Sequence, residues 1–313
     1  MAQKIATRES YGNALAALGE KYDFVVLDAD LAAATKTGIF KKKFPERFFD
    51  CGIAEGNMMT VAAGIATTGK PVFASTFAMF AAGRAFEQVR NSIAYPHLNV
   101  KIGATHAGIT VGEDGATHQC LEDLGVMRTI PGMVVLNPAD DVEARACVEW
   151  ALNYVGPVYI RFGRLAVPVV FDEADYKFEF DKNLTVREGT DVTIVATGLM
   201  VHIALEAKEL LAKEGISAEV INIHTIKPID KELLAKSAAK TGAVITAEEH
   251  NIVGGLGGAV CEALAETCPV PVLRVGVEDV YGRSGKVPAL LEAYGLTAEN
   301  IVAKAKAAIA LKK

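Results

Sequence analysis

The chain has 313 residues, is 51% hydrophobic and 22% charged, and carries 28 glycines without any low-complexity run. That is a soluble globular composition with room for about two domains of roughly 150 residues, and it excludes disorder, collagen and coiled coil. Its 32 basic and 38 acidic residues leave a net charge of −6, which excludes an overall cationic surface and sets nucleic acid aside as a principal partner.

The N-terminal MAQKIATRES has no apolar core of a signal peptide. Short apolar runs rich in β-branched residues then alternate with helical patterns. The runs span 24–30, 70–76, 100–108, 132–140 and 156–164, the first four closing on Asp, Thr or Gly and the last on Gly163–Arg164. The helical patterns span 8–21, 55–68, 80–94 and 142–154. Continuous apolar strands between helices predict an α/β fold with a mostly parallel sheet covered on both faces. In such folds ligands bind at the carboxyl ends of the strands. The least polar stretch, Gly56 to Gly83, is broken by Lys70 and Pro71 into pieces too short for a membrane span. An acidic, aromatic stretch without period reads as a linker over 169–183. A second α/β unit follows with four apolar runs and a closing Ala/Lys helix, so the expected domains are 1–168 and 184–313. Five cysteines, Cys51, Cys120, Cys147, Cys261 and Cys268, are odd in number and lack a C-x-x-C pair. This speaks against a disulfide framework or a thiolate zinc site and points to the cytoplasm.

Four clusters could carry chemistry. In CGIAEGNMM, Glu55 opens an uncharged helix that is apolar all round and therefore expected to be interior. A buried carboxylate there is either functional or a helix N-terminal acid favoured by the dipole. Ser75–Phe80 places Phe77 and Phe80 at i, i+3 behind a strand, a spacing that by itself reads as core. The loop THAGITVGEDGATHQ gathers His106, Glu113, Asp114 and His118 in a glycine-punctuated segment after a strand. Histidine with carboxylate suits proton transfer, and glycine lets backbone approach a ligand. A metal site from His106, Asp114 and His118 is not favoured, because no helix fixes their geometry. GGLGG at 254–258 looks like a phosphate loop but lacks the full fingerprint and the Walker lysine, so tight strand–helix packing is the expected role.

Taken together, GIAEGNM, STFAMF and above all THAGITVGEDGATHQ resemble transketolase, and the resemblance runs through the linker to the end of the chain. It implies a thiamine-diphosphate pyrimidine-binding fold followed by the transketolase C-terminal fold. It further implies transfer of a two-carbon ketol unit from a ketose phosphate to an aldose phosphate. The family's GDG motif and following asparagine, which hold Mg²⁺ and diphosphate, have no counterpart here beyond Gly112–Gly115. The resemblance therefore implies a split enzyme whose N-terminal partner subunit carries the GDG motif and the metal, with two sites across a dimer and a heterotetramer overall. Membrane and nucleic acid are not expected as partners.

Carried over residue by residue, Glu55 matches the glutamate that hydrogen-bonds N1′ of the aminopyrimidine. Phe80, with Phe77 beside it, matches the ring stacked on the pyrimidine. Asp30 matches a residue lining the cofactor pocket. Asp114 matches the residue bonded to the donor's C2 hydroxyl, and His118 one near the reacting carbons. Arg8, His106 and Arg164 match the set that grips the sugar phosphate. Three positions depart from the pattern. Ala34 replaces a frequent phosphate-contacting serine, so that contact is lost or passes to Thr35. Gly83 replaces a tyrosine of the pyrimidine pocket, and Ala107–Gly108 a more polar pair. The alternatives are a subunit of another thiamine-diphosphate enzyme or a non-catalytic regulatory subunit. The former would be a transketolase-like enzyme for an unusual pentose phosphate, a deoxyxylulose-phosphate synthase or a 2-oxo acid dehydrogenase beta subunit. An NAD-binding module rests on GGLGG alone.

Overall fold

The computed structural model describes residues 3–312. In chain order the strands are β1 Lys4–Ala6, β2 Val25–Asp28, β3 Phe48–Asp50, β4 Val72–Phe77, β5 Val100–Thr105, β6 Val134–Leu136, β7 Val158–Arg161 and β8 Ala166–Pro168. They continue with β9 Leu184–Arg187, β10 Val192–Ala196, β11 Ala218–Asn222, β12 Thr225–Lys227, β13 Val244–Asn251 and β14 Val272–Val277. Two helix-covered sheets form. The first runs β12-β6-β7-β5-β4-β2-β3 and the second β14-β13-β10-β11-β9. All pairings among β2–β7 are parallel, as are those joining β10, β11, β13 and β14. The central strands β2, β4, β5 and β7 are buried at every position, which the unbroken apolar runs demand of a sheet covered on both faces.

Antiparallel pieces absent from the sequence expectation add a separate two-stranded sheet, β1-β8, and the edge strands β9 and β12. Strands β1 and β8 pair through Ile5 and Val167, and β9 flanks β11. Strand β12 leaves the second unit to pair with β6 of the first sheet, Thr225 opposite Leu136. The two units thus share a sheet, which composition alone could not reveal. Residues between β8 and β9 are not a loose tether. Phe180 stacks on Trp150 at 4.4 Å and Phe178 lies 5.6 Å from it. The Tyr176 hydroxyl donates to Glu143 at 2.6 Å, and Asn222 of β11 donates to the same carboxyl oxygen at 2.7 Å. Burial raises Glu143 to about 8, the expected response of a carboxyl deprived of water.

Two helical expectations change. The helix Glu55–Ala66 buries Glu55, Met58, Met59, Ala62, Ala63 and Ala66, but Asn57, Thr60, Val61 and Gly64 face outward. It is not interior all round; one face, of Asn57, Thr60, Val61 and Gly64, is left uncovered by this chain. The expected helix over 80–94 is widened instead into π-helical turns at Met79–Arg84 and Val89–Ala94 around a short α-helical turn. Such turns frequently mark functional positions.

Candidate active site

Because β7, β5, β4 and β2 are adjacent and parallel, their carboxyl ends deliver side chains to one edge. Arg164 follows β7, His106 follows β5, Phe77 ends β4 and Asp30 follows β2. Phe77 pairs with Thr105 across β4 and β5, which sets the Phe77 ring against the next residue's imidazole, 3.9 Å between centroids. Phe80 stacks near Phe77 at 5.8 Å, and His118 meets Phe80 edge-on at 5.4 Å. The aromatic pair that spacing reads as core is thus half core and half site, with Phe77 buried and Phe80 half-exposed.

Arg8 opens the helix Thr7–Leu18 after β1. Gly103 fixes how closely that helix packs, since a β-carbon there would overlap the Tyr11 hydroxyl. Tyr11 has no freedom to yield: it is buried, hydrogen-bonded to Ser75 at 2.7 Å and stacked on Phe162 at 4.7 Å. The Arg8 guanidinium donates to the Ala34 carbonyl at 2.8 Å and lies 3.4 Å from His106 Nε2. Arginine only donates, so Nε2 accepts and Nδ1 carries the proton toward Thr105 Oγ1 at 3.0 Å. Burial, then the charges of Arg8 and Arg164, push His106 down to about 3. Burial and the like charge of Arg164 also lower Arg8. His106 is therefore a neutral hydrogen-bonding group among cations.

Lys36, not singled out from sequence, adds a smaller positive influence that lowers His106 along with burial, Arg8 and Arg164. It sits at φ 70 at the end of the turn Ala32–Thr35. Asp28 builds that turn by accepting from the Leu31 N–H at 2.6 Å and the Thr35 and Thr37 hydroxyls at 2.7 and 2.8 Å. The Thr35 hydroxyl, fully buried and committed to Asp28, cannot take over a phosphate contact. Asp30, Lys36 and His106 all hold positive φ, at 60, 70 and 54. Strain of this kind on non-glycine residues clusters at functional sites.

Glu55 is 1% exposed at the start of its helix. The turn before it is tied by Asp50, which accepts from the N–H groups of Asp30 and Gly52, both at 3.0 Å. Glu55 Oε2 accepts from Arg84 Nη1 at 2.9 Å, and the Arg84 guanidinium lies over the Phe80 ring at 4.8 Å. Arg84 is the second neighbour of the site that sequence reading missed; it meets Phe80, four residues earlier, and the buried carboxyl of Glu55 on another helix. Asp114 ends a 3₁₀ segment, Ile109–Asp114, and is exposed, as is Asp30. Arg164 donates to the Val111 carbonyl at 2.6 Å, joining this loop to the basic set. Among the described residues no group of three or more His, Cys, Asp or Glu is placed to hold a metal ion. At GGLGG, the helix N-terminal N–H groups of Leu256 and Gly257 donate to buried Glu248 at 2.6 and 2.7 Å. The anion position there is filled by the protein's own carboxylate, so the loop packs strand against helix.

Comparison with known proteins agrees with this architecture. Residues 3–169 match the transketolase pyrimidine-binding domain and residues 181–301 the transketolase C-terminal domain. The chain is 52% identical to the putative transketolase C-terminal section of Methanocaldococcus jannaschii, over 94% of this chain and 93% of that one. It is 48% identical to the 6-deoxy-6-sulfo-D-fructose transketolase subunit SqwH of a Clostridium species, over 94% and 92%. A solved structure described as a split gene transketolase, inactive beta4 tetramer, superposes with a TM-score of 0.91 at 56% identity, covering 99% of this chain and 100% of that one. On the fold, the converging site and these matches, the chain belongs to the transketolase family and carries its pyrimidine-binding and C-terminal domains.

Proposed function

We propose that this chain is the C-terminal subunit of a two-subunit, thiamine-diphosphate-dependent transketolase that moves a ketol unit between sugar phosphates. The observation that carries the reading is the convergence, at one sheet edge, of buried Glu55, the Phe77–Phe80 pair and the basic set Arg8, His106 and Arg164. The donor set fits the cofactor's pyrimidine: Glu55 uses one oxygen for Arg84 and keeps the other without a hydrogen bond among the described residues. Phe80 offers a half-exposed ring beside it. When bound, thiamine diphosphate supplies the electron sink for cleaving and re-forming a carbon–carbon bond. Glu55 would orient the pyrimidine through N1′, Phe80 would stack on it with Phe77 beside it, and Asp30 would line its pocket. Asp114 takes the donor hydroxyl. His118, whose Nδ1 is 2.9 Å from Thr117 Oγ1, presents its other nitrogen for proton transfer. Arg8, Arg164 and neutral His106 bind the terminal anion, for which the arginine fork is suited.

The partner is an N-terminal transketolase subunit with the GDG motif and Mg²⁺. Its place is the uncovered face of Glu55–Ala66 with the neighbouring exposed Ile53 and Phe49; apolar side chains flanking a polar site are what a second chain would bury. A heterotetramer in the cytoplasm is the expected assembly. The five cysteines are free, and among the described residues no helix is long and apolar enough to cross a membrane. Purified chain should be inactive and gain turnover on addition of that partner, thiamine diphosphate and Mg²⁺; robust turnover without the partner would overturn the split-enzyme reading.

A second reading concerns the substrate. The Clostridium relative is named for 6-deoxy-6-sulfo-D-fructose and a Phocaeicola vulgatus relative, 40% identical, for apulose 4-phosphate. A terminal sulfonate offers Arg8 and Arg164 the same three-oxygen face as a phosphate, with less negative charge. A panel of ketose phosphates and sulfonates, with pyruvate as control, separates these donors and tests the other thiamine-diphosphate reactions.

A further inference from the structure

The C-terminal domain supplies none of the site residues named so far, yet it reaches into the site through Glu249. This residue lies on β13, is 4% exposed, and accepts the Thr110 N–H through Oε1 at 2.7 Å. Thr110 belongs to the Ile109–Asp114 segment. The remaining side-chain bonds to that segment's backbone come from donors and end on carbonyls. Arg164 reaches Val111 at 2.6 Å, Gln119 reaches Ile109 and Gly112 at 3.2 Å each, and Ser284 reaches Glu113 at 2.7 Å. Among the described residues Glu249 alone meets one of its N–H groups with a side chain.

Glu249 is tied at its backbone as well as at its carboxyl. Buried Arg161 donates through Nη2 to the Glu249 carbonyl and through Nε to Asp123, both at 2.8 Å, and Tyr159 donates to Asp123 at 2.9 Å. On the loop side a β-carbon at Gly108 would overlap the Glu249 carboxyl group. Gly108, Gly112 and Gly115 hold φ of 83, 84 and 78, so the segment between them is kinked at three points and depends on external bonds for its shape.

We propose that Glu249 is a positioning residue of the active site: by fixing Thr110 it sets the segment that presents Asp114 and, beyond it, His118, giving the C-terminal domain a part in donor recognition. The inference rests on the reading of Asp114 as the residue that contacts the donor. The bond requires an oxygen lone pair rather than a charge. Burial, opposed by Arg161, brings the carboxyl to about 7, so protonated and ionised forms coexist near neutrality and both can accept from Thr110. A glutamine carbonyl can do the same.

The test uses the complex reconstituted with its N-terminal partner. Glu249→Ala should raise the donor KM about tenfold, the equivalent of one lost buried hydrogen bond, while thiamine-diphosphate Kd stays unchanged. Glu249→Gln should restore the wild-type KM. Amide exchange at Thr110, measured on the chain by mass spectrometry, should accelerate in Glu249→Ala and not in Glu249→Gln. Equal losses in the two variants, or parallel weakening of cofactor binding, would mean general packing and overturn the inference. Asp114→Ala serves as control. If it leaves the donor KM unaltered, the reading of the loop fails and the inference with it. If it raises KM while Glu249→Ala does not, the inference alone fails.

Discussion

His106 is a neutral imidazole because it is buried and ringed by Arg8, Arg164, His118 and Lys36. Its unfolded form titrates near 6.5 and its folded form near 3. As pH falls below about 6.5 the unfolded chain takes up a proton that the folded chain refuses, so this residue's contribution to stability declines toward pH 3 and is complete above 6.5. Nitrogen-15 shifts should show the His106 ring still neutral at pH 5; a protonated ring there would refute the assignment. Glu55 makes a different demand. Replacing it with alanine removes the carboxylate that the proposed function assigns to the pyrimidine and should lower turnover of the complex by about 10²–10⁴-fold, the span of acid–base groups. A near-native melting temperature would show the loss to be chemical, and retention of most activity would remove Glu55 from the mechanism. At this scale the sequence was legible through motif: Glu55, Phe77, Phe80, His106 and His118 fall in three short segments. Lys36 and Arg84 were not, because a lone lysine after alanines and a lone arginine after glycine carry no local signal. Their positions arise from the Asp28-built turn and from the packing of Met79–Arg84 against Glu55.

Among the elements, the stretch expected to be a linker shows the same limit. Its acidic, aperiodic sequence gives no strand or helix, and it forms none. Its aromatic residues nevertheless dock on the helix Asp141–Asn153 through Trp150, and Tyr176 joins Glu143 and Asn222 at one buried point. Trp150→Ala should cost about 2 kcal/mol, below the ~3–5 kcal/mol of a fully buried aromatic because Trp150 is half-exposed. It should also open residues 172–182 to limited proteolysis. Denaturation unchanged from wild type would show that the docking adds nothing. The helix Glu55–Ala66 is instructive in reverse. Its uniformly apolar composition predicts burial on all sides, yet one face is open, and reconstitution with the N-terminal subunit should protect that face from hydrogen exchange.

For the whole molecule, the alternation of apolar runs and helical patterns by itself determined the α/β class, two parallel sheets and the strand ends where chemistry sits. Those are consequences of local periodicity, which each segment carries independently. The long TH…GEDG…HQ segment likewise determined the family. Tertiary structure alone decided what depends on residues distant in the chain. β12 crosses from the second unit into the first sheet. Glu248 fills the anion position at GGLGG, which ends the case for a nucleotide loop. Glu249 reaches the Thr110 amide across the domain boundary. None of these has a period or a motif, because each is a contact between elements whose spacing along the chain is set by folding rather than by sequence distance. The −6 charge and ordinary composition excluded partners without naming one; exposed Phe49, Ile53 and Val61 beside a buried carboxylate are what direct the search to a second subunit.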